Sequence, residues 1–216
     1  MQTDLYIIRH GEAVCNVENI VGGMVGCRGL TERGHAQARR LAERLARGEI
    51  EADVLYASTI RRARETAEPV AEALGLPIQW DDELHELRPG EVVDGMTVSE
   101  VVERYGRLSL SQPYMSTAPG SESFATFLTR ACTALYRIIQ QHEGQRIVVV
   151  SHGGIVDASF YLMFGMGPYI LERAGFWTYH TSITHWRRMP GWAPGDMPRW
   201  HLMRYNDVAH LADGDQ

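Results

Sequence analysis

The chain has 216 residues, 44% of them apolar, and a formal net charge of −6, which suits one α/β-sized domain spanning residues 1–216 with no internal linker. All of its fixed cations are Arg and none is Lys, which excludes a Walker A lysine and a Schiff-base lysine and leaves guanidinium groups to hold any phosphate. No basic run marks a nucleic-acid or membrane surface, Leu5–Ile8 is too short for a signal segment and nothing approaches the length of a membrane span, so a small-molecule partner and a cytoplasmic location are expected.

In chain order, Leu5–Ile8 reads as a buried strand. A helix follows from Thr31 as N-cap, with Glu32 in its first turn and Ala38, Leu41, Ala42, Leu45 and Ala46 inward, to a stop at Gly48. Val54–Ala57 is a second strand. The next helix places Ala63, Ala67, Val70, Ala71 and Leu74 on one face and ends at Gly75, with a kink or break expected at Pro69. Residues 85–120 lose the strand and helix rhythm and read as an excursion with a short helix around Val98–Tyr105. A third long helix starts near Ser121 or Ser123 and turns Phe124, Leu128, Ala131, Leu135 and Ile138 inward before Gly144.

Ile147–Val150 is another buried strand with a helix-like pattern after it. Ser182–Trp186 and Trp200–Tyr205 read as strands joined by the Pro190–Pro198 loop, an antiparallel finish to a largely parallel sheet. Trp177, Trp186, Trp192 and Trp200 are expected to pack in core and strands. Cys15, Cys27 and Cys132 are odd in number with no close pairing in sequence, which fits reduced thiols.

Chemistry gathers where the apolar strands stop. Leu5–Ile8 runs into Arg9, His10 and Gly11, and Ile147–Val150 into Ser151, His152, Gly153 and Gly154, the edge at which open α/β sheets bind ligands. Ser58 follows another strand and reads as a helix N-cap, with Arg61, Arg62 and Arg64 in the helix beyond it. A neutral imidazole can attack phosphorus while guanidinium groups clamp the phosphoryl oxygens, so neither metal nor cofactor is needed. A carboxyl must protonate the leaving oxygen, and position alone leaves Glu86 and Glu91 open. Asp81, Asp82 and Glu83 read as a solvated acidic run.

Arg9-His10-Gly11-Glu12 with Asn16 resembles the opening of the histidine phosphatase superfamily, the phosphoglycerate mutase-like family. Leu30-Thr31-Glu32-x-Gly34, Ser58-x-x-x-Arg62-Ala63-x-Glu65-Thr66-Ala67, Leu84-x-Glu86, Gly90-Glu91 with Gly95, Pro119-Gly120-Ser121-Glu122-Ser123, Ser151-His152-Gly153 and Thr181-Ser182-Ile183-Thr184 resemble its later landmarks in family order. The resemblance implies a three-layer α/β/α sandwich with a mixed, mostly parallel sheet and residues 85–120 as an inserted lid. It also implies His10 as the phosphate-accepting nucleophile, Arg9, Arg62 and His152 holding the phosphoryl group with Asn16 and Gly153 beside them, and Glu86 as proton donor.

Departures point to hydrolysis of a small phosphate ester rather than mutase transfer. Gly22 stands where mutases of the family commonly place a hydroxyl, and Leu87-Arg88-Pro89 replaces their Arg and Tyr after the acid. Specificity is expected from His85, Arg88, Met96, Tyr105, Tyr114 and Met115 in the lid. Three other readings carry less weight. Cys27-x5-Arg33 has cysteine-phosphatase spacing but few loop glycines. The nine His show no HExxH motif, and His180 and His185 would face opposite sides of a strand. A non-catalytic phospho-ligand binding protein need not keep His10, Arg62, Glu86 and His152 together.

Overall fold

The computed structural model describes residues 2–107, 111–168, 175–191, 193 and 195–211. Six strands, β1 (Thr3–Arg9), β2 (Val54–Ala57), β3 (Ile78–Trp80), β4 (Arg146–Ser151), β5 (Ile183–Met189) and β6 (Arg199–Asp207), form one sheet in the order β3-β2-β4-β1-β5-β6. Pairings among β3, β2, β4 and β1 are parallel, and β5 and β6 close the sheet antiparallel. The expected mixed, mostly parallel α/β architecture is the one observed.

Side chains of a strand alternate between faces, so continuous apolar runs such as Leu5–Ile8 and Ile147–Val150 must be covered on both sides. Leu5, Ile7, Ile147 and Val149 enter one core with Phe127, Leu128, Ala131, Leu135 and Ile138 of α5 (Phe124–Gln141) and Ile155 and Phe160 of α6 (Gly153–Phe164). Tyr6, Ile8, Val148 and Val150 enter the other with Leu41 and Leu45 of α2 (Glu32–Ala46) and Ala67 and Val70 of α3 (Arg61–Leu74). A one-turn helix, α1 (Val14–Val17), and the helix α4 (Val98–Tyr105) are the other α-helices among the described residues.

The caps follow local chemistry. Thr31 accepts from Gly34 N at the start of α2, Ser123 accepts from Thr126 N at the start of α5, and Thr97 with Glu100 builds a reciprocal capping box on α4. Three expectations need correction. The helix α3 is not broken at Pro69 and runs on to its Gly75 cap, because Ala67 and Val70 on either side of the proline are fully buried against the sheet. Ala46 is exposed and Ala42 only half-buried, the α2 stripe being filled by Gln37 and Arg44. Trp177 is 74% exposed, whereas Trp186 is buried, Trp200 packs against the same core, and Trp192 lies outside the described residues.

Residues 85–120, of which 108–110 lie outside the described set, have a small core of their own in Val93, Val101 and Ala118, with Met96 and Tyr105 packed on it. The segment is tied to the 20–26 loop. Val21 N donates to Met96 O at 2.8 Å and Gly95 N to Val21 O at 2.9 Å. The Asp94 carboxylate accepts from the backbone N–H groups of Gly23, Val25 and Gly26, each at 2.8 Å.

Candidate active site

β1 and β4 are parallel neighbours with Arg9 paired to Ser151, so the residues that follow each strand emerge side by side at one edge of the sheet. His10 N donates to Ser151 O at 2.8 Å, and Thr181 N donates to Arg9 O at 3.0 Å from a backbone with φ 56°. Gly11 N donates to Thr66 Oγ1 at 3.0 Å, and that hydroxyl donates to Arg62 O at 2.8 Å, which fastens the strand end to α3. A Cβ on Gly11 would lie 2.6 Å from Gly34 O, so this turn admits only glycine while α2 stays this close.

His10 is buried, and its Nδ1 lies 2.7 Å from Gly11 O. A carbonyl only accepts, so Nδ1 carries the ring proton and Nε2 keeps its lone pair. Arg62 Nε donates to that lone pair at 2.9 Å while Arg62 Nη1 donates to Gly22 O at 2.5 Å. Burial, followed by the charges of Arg62, the neighbouring His152 and Arg9, holds His10 well below the usual imidazole range, so the ring is neutral at pH 7.

The His152 ring centroid is 5.2 Å from that of His10, and His152 Nε2 is 2.8 Å from Ser58 Oγ. Ser58 is therefore not the N-cap expected of it. Ile60 occupies that position, and Ser58 instead braces His152. Burial, and then Arg62, also keep His152 neutral. Arg9 Nε, His152 Nδ1 and His180 Nε2 are buried without a hydrogen-bond partner. Unsatisfied buried groups of this kind are unfavourable unless a ligand completes them. Arg9 Nη1 is held by Thr178 O, and a Cβ on Gly153 would lie 3.8 Å from Arg9 Nε.

The two candidate acids separate in space. Glu86 accepts from Gly154 N and Leu87 N, each at 3.0 Å, which brings its carboxyl to the first turn of α6 next to His152, whereas Glu91 is exposed. Asp157, about one turn further along α6, lies within the fields of Glu86 and Arg9, and burial with the Glu86 charge pushes it up to about 7. Neither Asp157 nor His180 was singled out by sequence as a site residue. His180 precedes β5 instead of lying on a strand, with its ring 5.8 Å from that of His10, and burial with Arg9 and Arg33 pushes it down to about 3. His185 is remote, bonded to Asp4 Oδ1 at 2.6 Å.

The remaining candidates are paired elsewhere or exposed. Arg61 pairs with Glu65 at 2.6 Å, and the Arg64 guanidinium lies over Trp80. Asn16 is exposed and its Oδ1 accepts from Ala13 N at 3.1 Å, so its amide NH2 is the group left to donate. Arg33 pairs with Glu12 at 3.3 Å and shares no loop with a Cys27 nucleophile. Among the specificity candidates, Arg88 bonds to Glu83 at 2.9 Å, His85 Nε2 lies 2.7 Å from Thr59 Oγ1, and Tyr114 and Met115 are exposed. Met96 and Tyr105 are spent on the small core.

A family model described as histidine phosphatase superfamily (branch 1) matches residues 5–193. The chain is 31% identical to phosphoglycerate mutase-like protein 4 of Arabidopsis thaliana, over 97% of this chain and 87% of that one. It is 33% identical to a metal-independent phosphoserine phosphatase of the same plant, over 97% of this chain and 84% of the other. The solved structure of Bacillus stearothermophilus YhfR superposes with a TM-score of 0.81 at 30% identity, over 96% of this chain and 98% of that one.

Proposed function

Since the chain belongs to the histidine phosphatase superfamily, we propose that it hydrolyses small phosphomonoesters through a phosphohistidine on His10. The observation that carries this reading is the neutral His10 Nε2 lone pair with Arg62 at 2.9 Å and the unsatisfied Arg9 Nε and His152 Nδ1 nearby. A phosphoryl group seated there takes the Arg62 Nε–H from the His10 lone pair onto one of its oxygens, together with the Arg9 and His152 groups, which frees Nε2 to attack phosphorus in line with the leaving oxygen. The His10 Nδ1–H to Gly11 O bond stabilises the imidazolium as Nε2 bonds to phosphorus. Arg9, Arg62 and His152 bind the phosphoryl oxygens, Asn16 donates from its amide, and Gly153 leaves room at the start of α6. Guanidinium and imidazole groups meet the phosphoryl charge, so the reaction runs without a metal.

Glu86 gives its proton to the leaving alkoxide and, as carboxylate, takes one from the water that cleaves phosphohistidine. Residues 85–120 act as the lid of a single domain and exclude bulk water. Hydrolysis outruns transfer to a second substrate, because Gly22 supplies no hydroxyl, a Cβ there would crowd Cys15 Sγ at 2.7 Å and Arg62 Nη1 at 3.2 Å, and Leu87-Arg88-Pro89 replaces the mutase Arg and Tyr. The substrate class is a small phosphorylated metabolite, in line with a relative that is a phosphoserine phosphatase. The free thiols of Cys15, Cys27 and Cys132 suit a cytoplasmic location. Rapid quench with labelled substrate should trap an acid-labile adduct on His10. An adduct that persists in His10→Ala, or activity lost to chelator and restored by metal, refutes the reading.

A further inference from the structure

Folding joins two cysteines that the sequence keeps apart. Val14 N donates to Gly29 O at 3.0 Å and Ala13 pairs with Leu30 in an antiparallel bridge, so the segment after His10 turns back on itself. The buried thiols of Cys15 and Cys27 come together there, each acting on the ionisation of the other. The Cys27 sulfur also lies near the backbone N–H groups of Gly29 and of Arg62, the latter in the first turn of α3. This is the environment that favours a thiolate: the positive end of a helix, two N–H donors and a nearby guanidinium. Cys15 and these groups push Cys27 down, and Cys27, with burial, pushes Cys15 up. Cys132, on α5, has no such surroundings, and burial pushes it up to about 11.

We propose that Cys15 and Cys27 form a redox modification site, oxidised by hydroperoxides to a disulfide that disturbs Arg62. The Cys27 thiolate attacks the peroxide O–O bond, giving a sulfenic acid and hydroxide, which takes up the proton released from Cys27. Cys15 then attacks the sulfenic sulfur and the hydroxyl leaves as water with the Cys15 proton. Two thiols are oxidised to one disulfide and one hydrogen peroxide is reduced to two waters. The coupling to Arg62 is direct. The Cys27 sulfur withdraws from the Arg62 N–H, and Cys15, packed beneath Gly22, shifts the carbonyl that holds Arg62 Nη1 at 2.5 Å.

The linkage stands on its own, and only its effect on turnover rests on the proposed hydrolysis. The test treats the full chain with hydrogen peroxide, alkylates it and digests it without reductant. A cross-linked Cys15–Cys27 peptide is expected, with the intact mass lower by two hydrogens. Phosphate release from p-nitrophenyl phosphate should fall on the order of tenfold to a hundredfold, and dithiothreitol should restore it. Cys15→Ser and Cys27→Ser should lose both the cross-link and the reversible inhibition, and Cys132→Ser should keep both. Thermal melting checks that the variants fold, and Cys→Ala replacements substitute for any that do not. If the chain shows no hydrolysis, calorimetric binding of inorganic phosphate before and after oxidation reads the state of Arg62 instead. Oxidation that spares the pair, links either cysteine to Cys132, or forms the disulfide with activity and phosphate binding unchanged overturns the proposal.

Discussion

Replacing Arg62 with Lys isolates what a planar guanidinium contributes to this site. The buried Arg62 side chain donates from Nε to His10 Nε2 at 2.9 Å and from Nη1 to Gly22 O at 2.5 Å, and as Nε2 bonds to phosphorus both Nε and Nη2 turn to phosphoryl oxygens. A lysine ammonium is a single point, and from the same position on α3 it keeps the charge and at best one of the three directions. Hydrogen bonds to charged groups contribute about 1.5–3 kcal/mol each, so losing two removes at least about 3 kcal/mol. At about 1.4 kcal/mol per decade, kcat/KM should fall roughly a hundredfold or more. Arg61→Lys is the control, since the Arg61 side chain is 64% exposed and, among the described residues, its ion pair is with Glu65 alone, a surface pair that solvent screens. Both variants are assayed with p-nitrophenyl phosphate, with thermal melting to show that the fold survives. An Arg62→Lys enzyme within about threefold of wild type, or an Arg61→Lys enzyme as impaired, refutes the fork argument.

Glu86→Gln should slow phosphorylation by an alkyl phosphate by about 10²–10⁴-fold but by the aryl ester far less, because general acid catalysis matters most for a basic leaving group. Equal losses with both esters, or a selective loss in Glu91→Gln instead, would place the proton donor elsewhere. Asp157 is raised from 3.8 to about 7, so the stability it confers is fully present below 3.8 and lost as pH rises through about 7. Above that pH its negative charge beside Arg9 and Glu86 should raise KM, and Asp157→Asn should flatten both the KM and the melting profiles; unchanged profiles would contradict the assignment. Gly22→Ser should be destabilised by about 1–3 kcal/mol through overpacking against Cys15 and Arg62, with reduced hydrolysis. A stable variant that interconverts phosphoglycerates would show that the hydroxyl fits after all.

The sequence by itself determined the elements whose rules are local. Leu5–Ile8, Val54–Ala57 and Ile147–Val150 are apolar at every position because both faces of a central strand are covered, and Thr31 and Ser123 cap helices through contacts three residues away. The ordered motifs likewise indicated that Arg9, His10 and His152 follow strand ends. β3 escaped notice because a three-residue, half-exposed edge strand leaves too short a pattern to read. Pro69 does not break α3 because its local penalty is outweighed by packing on the sheet.

Only the tertiary structure decided which strand ends meet. That β1 lies beside β4, so that His10 and His152 become neighbours, is set by pairing across more than a hundred residues, and no periodicity within either strand encodes it. The tautomer of His10, the bracing of His152 by Ser58, the separation of Glu86 from Glu91, the arrival of Asp157 and His180 at the site and the contact between Cys15 and Cys27 all follow from that assembly. Each depends on a distance or a burial between segments remote in sequence, and those are quantities that exist only once the layers have packed.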